Sequence, residues 1–399
     1  MTDYKVPGVY VEEPFGLSLS VQTGQTAVPV FAFALGNTLV AAMAAHGVTD
    51  AKGSVTALTS WLEVSDVSRQ VWERAYRDES TQENKKTTAD EAVKLLEKDL
   101  LYQSLRLYFI NGGGHCYIAP LEKLDALVPA LDDATLLVQA GTGITVFEPK
   151  VATLCGVGKT LFALFDGPNE PLNSAKDVKE KVQEGATYPS THYAAVYYPW
   201  LKVDGVTEAV PPSGAVAGAY ARVDRQRGVW KAPANVDIIG ATPVHKVSEA
   251  VDAACNVPAS GGKAMNVIRA FHGTGPLIWG ARTLQSDTPA WRYVPVRRLF
   301  NAAERDIKTA MSMALFEPNS APTWERVRGA VESYVHDLWL KGALLGDSPA
   351  QAYFVHIGLG TTMTQDDINN GRMIVNVGLA AVRPAEFIIL QLTQDVVPA

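Results

Sequence analysis

Short apolar runs alternate with stretches of helical periodicity between residues 27 and 198, and that alternation narrows the fold more than anything else in the chain. The runs lie at 27–36, 115–119, 135–139, 161–166 and 193–198. Each is short enough for a strand, and the stretches between them have room for helices of roughly ten to fifteen residues. That spacing is expected of a parallel α/β sheet whose strands are joined by helical crossovers. Residues 56–61 lead into a helix read on to about Tyr76. The charged stretch 77–99 enters an amphipathic helix carrying Ala92, Val93, Leu95 and Leu96. The periodicity extends this helix through Leu100, Leu101, Leu105 and Leu107 until Gly112-Gly113-Gly114 stops it. Further helices are expected near 121–131, 149–158, 176–184 and 214–222.

The last third changes character. Residues 294–315 place Val296, Leu299, Phe300, Ala303, Ile307, Ala310, Met311 and Ala314 on one helical face, with Glu304 and Lys308 four apart on the other. A second helix, with Thr323 as its candidate N-cap, runs through Trp324, Val327, Val331, Val335 and Leu338 to Gly342. Strands are expected at 352–357, 372–379 and 385–392.

Both ends of the chain read as strands without local partners. Val9, Tyr10, Val11 and Glu12 form a β-prone run between Pro7-Gly8 and Pro14, followed by a polar tether to Thr26. No hairpin partner is near, so its N–H and C=O groups must pair with a distant segment or another molecule. Near the other end, Phe387, Ile388, Ile389 and Leu390 are apolar on both faces of a strand, which asks for cover on both sides.

Composition then removes whole classes of function. A chain of 399 residues, 47% hydrophobic and 19% charged, is globular and long enough for two or three domains. Its 35 basic and 42 acidic side chains leave a net charge of -7, a poor surface for nucleic acid. The three cysteines, Cys116, Cys155 and Cys255, have no CxxC spacing. The N-terminus lacks the pattern of a signal peptide and no apolar stretch reaches about 18 residues. The expectation is synthesis in the cytoplasm without membrane insertion, and exit by lysis or as part of a particle.

Candidate chemistry fails residue by residue. Gly156-Val157-Gly158-Lys159-Thr160 resembles the end of a phosphate-binding loop, but the earlier glycine is replaced by Thr153, and the segment precedes a strand instead of following one. His272-Gly273-Thr274 resembles the histidine segment of subtilisin-like proteases without the nucleophile segment downstream. His46, His115, His192, His245, His336 and His356 show no metal-binding spacing, and Cys116 reads as a small buried residue. Asp224, Arg225, Arg227 and Lys231 read as salt-bridging residues at an interface, with a ligand site as the alternative. No catalytic residue, cofactor or metal is therefore expected.

Several segments together resemble the contractile tail sheath proteins of contractile bacteriophage tails, R-type pyocins and extracellular contractile injection systems. They are PGVYVEE at 7–13, LYFINGGGHCYIAPL at 107–121, YYPWLK at 197–202, VPPSGAVAGAYARVDRQRGVWKAPAN at 210–235, IWGARTL at 278–284, WRYVPVRRLFNAAE at 291–304, LFEPN at 315–319 and GRMIVNVGLAAVRPAEFIILQL at 371–392. The resemblance implies an α/β fold with a non-catalytic, subtilisin-like middle domain over 25–285. It also implies an exchange arm at 1–24 and an α+β inner domain over 286–399. Subunits of such a sheath swap terminal strands, a role that maps onto Val9, Tyr10, Val11, Glu12, Phe387, Ile388, Ile389 and Leu390. The implied partners are further copies in stacked rings or a helical sheath, sheath paralogues, an inner tube protein, and baseplate and cap proteins. Arg326, Arg328 and Lys341 are candidates for touching the tube. The chain's length favours an injection system or pyocin-like particle, with a phage tail as the alternative. A P-loop or hydrolase-like α/β enzyme and a static tube are the readings from other classes.

Overall fold

The computed structural model describes residues 19–49, 53–81, 84–185, 187–256, 262–271 and 273–386. Of the expected features, the strand at Val9–Glu12, the strand at Phe387–Leu390 and His272 lie outside the described residues.

Strand β1 (Pro29–Phe33) is buried along its whole length, so it needs a neighbour on each edge and cover on each face. In chain order the strands that follow are β2 (Thr56–Leu58), β3 (Cys116–Pro120), β4 (Leu136–Val138), β5 (Cys155–Gly156), β6 (Lys159–Thr160), β7 (Phe162–Asp166), β8 (Ala194–Tyr198), β9 (Leu201–Lys202), β10 (Val236–Asp237), β11 (Thr242–Pro243), β12 (Asn266–Ala270) and β13 (Pro276–Ile278). Nine of them form one sheet in the order β10-β13-β12-β8-β7-β4-β1-β3-β2. The stretch from β12 to β3 is parallel, with Val30 opposite Tyr117 on one side and Leu137 on the other. Antiparallel β2 closes one end, and antiparallel β13 and β10 close the other. The sheet is therefore mixed, with the expected parallel body inside shorter antiparallel borders.

Alternate residues of the strands feed two cores. Phe31, Leu136, Val138, Phe162, Leu164, Ala195 and Tyr197 belong to one, and Val30, Ala32, Leu137, Ala163, Phe165, Val196 and Tyr198 to the other. The first core is roofed by helices α1 (Thr38–Ala45), α2 (Trp61–Asp78), α3 (Lys85–Glu97), α4 (Leu100–Ile110) and α8 (Ser213–Arg227). The second is roofed by α5 (Leu124–Leu127), α6 (Ile144–Leu154), α7 (Ala175–Val178) and α9 (Glu249–Asn256).

Several boundaries differ from the sequence reading, each for a local reason. The single helix expected across Ala92–Leu107 is two, because Asp99 turns its carboxylate to the N–H groups of Leu101 and Tyr102, at 2.9 and 3.2 Å, and caps α4. The helix expected over 149–158 occupies Ile144–Leu154, and Gly158, at φ +74°, turns the chain between β5 and β6. The helix expected at 214–222 runs from Ser213 to Arg227.

Helix α10 (Val294–Ser312) buries Val296, Leu299, Ala303 and Ala310 of its expected stripe. Helix α11 (Ala321–Leu340) starts earlier than Thr323 allows: Ser320 takes the cap position, Pro322 sits in the first turn and Thr323 is inside the helix. Beyond it, β14 (Tyr353–His356) and β15 (Asn376–Leu379) pair antiparallel, Val355 opposite Val377, as a separate two-stranded sheet. Asp306–Lys341 and Gly346–Ala380, with 19–23, make one compact unit. The described residues of Gly24–Arg305, with Gly342–Leu345 and 381–386, make the other. The units part within α10, between Arg305 and Asp306. Among the described residues, no helix is long and apolar enough to cross a membrane.

Two glycines one helical turn apart let α8 lie directly on α4. A Cβ at Gly214 would sit 2.5 Å from the Ser104 carbonyl oxygen, and one at Gly218 only 2.3 Å from that of Tyr108. Both obstacles are backbone, which cannot move without displacing α4. Gly218→Ala is expected to destabilise the protein by about 1–3 kcal/mol, as overpacked cores do, which urea unfolding measures.

Candidate functional site

The carboxyl ends of β4 and β7 are where an α/β enzyme would hold its chemistry. Here Asp166, the last residue of β7, is fully buried. Its carboxylate accepts hydrogen bonds from the backbone N–H of Gly141 and of Ser213, each at 2.9 Å. The Ser213 hydroxyl accepts from the Ala140 N–H at 3.1 Å, and Gln139 accepts from the Asp166 N–H at 2.9 Å. The acid and the hydroxyl are thus used up in holding three loops together. Cys116, Cys155 and Cys255 are buried, and burial pushes the Cys155 thiol up to about 12. The Gly156–Lys159 segment forms a hairpin turn after a helix, the reverse of what a phosphate loop needs. Among the described residues, no three His, Cys, Asp or Glu side chains cluster as a metal site.

The more unusual chemistry lies where the chain enters and leaves the large unit. Arg298, on α10, and Asp224, on α8, form a two-pronged ion pair, Nη2 to Oδ2 at 2.5 Å and Nη1 to Oδ1 at 3.1 Å. Their side chains are 3% and 4% exposed. Arg298 also donates to the Thr26 carbonyl oxygen at 2.9 Å, and the Thr26 hydroxyl donates to Asp224 at 2.6 Å. The guanidinium lies 4.6 Å over the Tyr220 ring, whose hydroxyl meets that of Tyr197 at 2.5 Å; burial raises both phenols. This knot fixes the polar tether to the body just before β1. It also corrects the reading of Asp224 as an interface residue: its partner is inside its own chain. Arg225 likewise bonds the Gly112 carbonyl oxygen at 2.6 Å.

A second knot holds the other end. Arg282 grips Glu386 through Nε to Oε1 at 3.0 Å and Nη2 to Oε2 at 2.5 Å, and the Tyr293 hydroxyl donates to the same carboxylate at 3.2 Å. Burial and the neighbouring Glu386 charge raise the Tyr293 phenol. The Arg282 side chain is 7% exposed and also bonds the Asn256 carbonyl oxygen. Its backbone is clamped by the Asn266 amide, which accepts from the Arg282 N–H at 2.7 Å and donates to its carbonyl at 2.9 Å. Glu386 directly precedes the apolar run Phe387–Leu390. Sequence reasoning missed Arg282, Tyr293, Arg298 and Glu386; the one available signal was a pair of arginines, Arg297-Arg298, inside an apolar helical face.

The proposed tube-contact cations are all on or beside α11, and each meets an acid of its own chain. Arg326 lies 3.6 Å from Glu317, Arg328 pairs with Glu325 and lies 3.9 Å from Glu332, and Lys341 meets Asp337 at 2.5 Å.

Comparison with known proteins places this geometry. Residues 149–284 match the family described as phage tail sheath protein central domain, and residues 286–395 match the phage tail sheath C-terminal domain. The chain is 45% identical to a chain of the cryo-EM structure of an extracellular contractile injection system, the PVC sheath complex in the contracted state. That match covers 99% of both chains with a TM-score of 0.80. It is 37% identical to a chain of the anti-feeding prophage helical sheath in the contracted state, covering 98% of this chain and 100% of that one with a TM-score of 0.75. A prophage major tail sheath protein of Pseudomonas aeruginosa is 24% identical over 176 residues, 44% of this chain and 42% of that protein. The match therefore spans less than half of that relative's length.

Two outcomes test the site. Arg298→Met leaves Asp224 charged, buried and unpaired and is expected to cost about 3–5 kcal/mol in urea unfolding, whereas Arg298→Met with Asp224→Leu should recover most of it. Burial raises Asp166 from 3.8 to about 6, so its contribution to stability is fully present below pH 3.8 and is lost as pH rises through about 6. The stability of the wild type relative to Asp166→Asn should therefore fall by about 2 kcal/mol between pH 4 and 7; a constant difference refutes this.

Proposed function

The chain belongs to the contractile tail sheath family and is a structural subunit with no enzymatic role, and on that premise we propose that it builds the sheath of an extracellular contractile injection system. The observation that carries this reading is the 45% identity over 99% of both chains with the PVC sheath. Copies stack as rings or a helix around an inner tube, between a baseplate and a cap, with sheath paralogues in the same particle. The parallel sheet with antiparallel borders supports a middle domain of subtilisin-like topology.

Neighbours are linked by exchanged strands, Val9–Glu12 from one end and Phe387–Leu390 from the other. The β14–β15 ribbon is the acceptor: among the described residues no third strand joins either of its edges. A strand added to such an edge gains main-chain hydrogen bonds along its length while side chains alternate between its faces. Repeating a head-to-tail contact without closure gives a helical array.

Contraction is then a change of interface. If each subunit buries ~100 Å² more apolar surface in the contracted form, the gain is about 2.5 kcal/mol per subunit, multiplied along the sheath, with no nucleotide required. The exchanged strands act as hinges while the bodies move. Toward the tube, Arg326, Arg328 and Lys341 swap an acid of their own helix region for one on the tube. Exposed pairs are worth about 1 kcal/mol or less, so the swap is nearly neutral and the grip is easily released.

Deleting residues 1–14 is expected to leave a folded monomer with an unchanged Tm that forms no sheath in negative-stain electron microscopy. Sheaths of normal length from the truncated chain would overturn the exchange at this end.

A further inference from the structure

The two knots converge on one short piece of chain. Arg282 and Tyr293 face each other across an antiparallel bridge, flanked by hydrogen bonds from the Thr283 N–H to the Arg292 carbonyl at 2.8 Å and from the Val294 N–H to the Ala281 carbonyl at 2.9 Å. Both reach Glu386. Five residues further on, inside α10, Arg298 reaches Thr26 and Asp224. At 1.5 Å per residue that separation is about 7.5 Å along a helix. It is a stretch with no loop in it, stiffened by Arg297, whose Nε donates to Asn301 at 2.8 Å and whose guanidinium lies 4.4 Å from the Trp291 ring and 4.8 Å from the Tyr193 ring.

We propose that the segment from Tyr293 to Arg298, with Arg282 beside it, is a yoke that ties the root of the C-terminal exchange strand, at Glu386, to the point where the N-terminal tether joins the body, at Thr26. The inference rests on the strand-exchange reading and adds positioning residues that the terminal strands themselves do not contain. Two segments rooted on separate loops would swing independently. Rooted on one rigid turn, they move as a pair, and a displacement imposed on one end reaches the other. Losing Glu386 leaves the buried Arg282 without its acid and costs stability as well, so the variant that separates folding from assembly is Tyr293→Phe, which keeps the ion pair. Assembly needs the Glu386 contact, because a strand must reach a neighbour's edge in register, and a slip by one residue reverses every side chain.

The test uses the wild-type chain, one truncation and point variants, each purified as a monomer, with polymer measured by pelleting and electron microscopy. A chain lacking residues 387–399 is expected to form no polymer. Glu386→Ala should lower the monomer Tm and, at a temperature where the monomer is still folded, raise the concentration needed for polymer at least tenfold, with Glu386→Gln between it and the wild type. Tyr293→Phe, which loses one hydroxyl, should raise that concentration about threefold and decides the matter, because Glu386→Ala lowers the Tm. The coupling has its own readout: Glu386→Ala should speed proteolytic cleavage next to Thr26 at least threefold, although that residue belongs to the other knot. If Glu386→Ala and Tyr293→Phe polymerise at the wild-type concentration while the deletion does not, the yoke is wrong and strand exchange stands. Unchanged cleavage at Thr26 removes the coupling between the ends. If the deletion polymerises normally, the exchange reading fails and the yoke fails with it.

Discussion

An arginine guanidinium stays charged at any pH a protein meets, so a buried one obliges the surrounding chain to bring it an acid and enough oxygen atoms to replace water. Arg298 and Arg282 impose that demand twice in this molecule. To satisfy Arg298, α8 must present Asp224, and the tether must turn its Thr26 carbonyl inward. To satisfy Arg282, the chain after the β14–β15 ribbon must return along Leu344, which bridges Ala381, and bring Glu386 into place. The arginines therefore fix where Thr26 and Glu386 lie on the large unit. An apolar contact at the same places would hold them less specifically, because it fixes neither direction nor register.

The rest of the large unit is built to keep those points still. Strands buried on both faces, two helical layers and the backbone-to-backbone contact of α8 on α4 leave little room for adjustment. At the position where related architectures bind ligands, Asp166 accepts hydrogen bonds from the chain's own N–H groups and serves to lock loops. A sheet that elsewhere supports chemistry is used here as a stiff block.

Much of this was readable from the residues, and what was not has identifiable causes. The strands buried on both faces announced themselves as apolar runs, and β1, β3, β4, β7 and β8 fell where expected. The border strands β2, β10 and β13 have two or three residues and carry no periodicity to read. Asp99 reads as the last residue of the charged stretch 77–99 because its capping role depends on the chain stopping at Lys98. Ser320 and Thr323 are equally good caps by type, and only Pro322 between them favours the earlier one. The knots were invisible for a different reason: Arg298 and Asp224 are 74 positions apart, and Arg282 and Glu386 are 104 apart. Arg328 and Lys341 look available in the sequence because Glu325 and Asp337 precede them at ordinary helical spacings and read as solvation.

The β14–β15 ribbon has a consequence for the finished particle. With exchange as proposed, every copy gives two strands and offers two edges, so supply equals demand at any length and the interior of the array is saturated. Only its extremities are out of balance, one with edges left over and the other with strands. An array of identical parts thus cannot terminate itself chemically, and growth stops cleanly only where a dissimilar protein supplies the missing half of the account at each extremity.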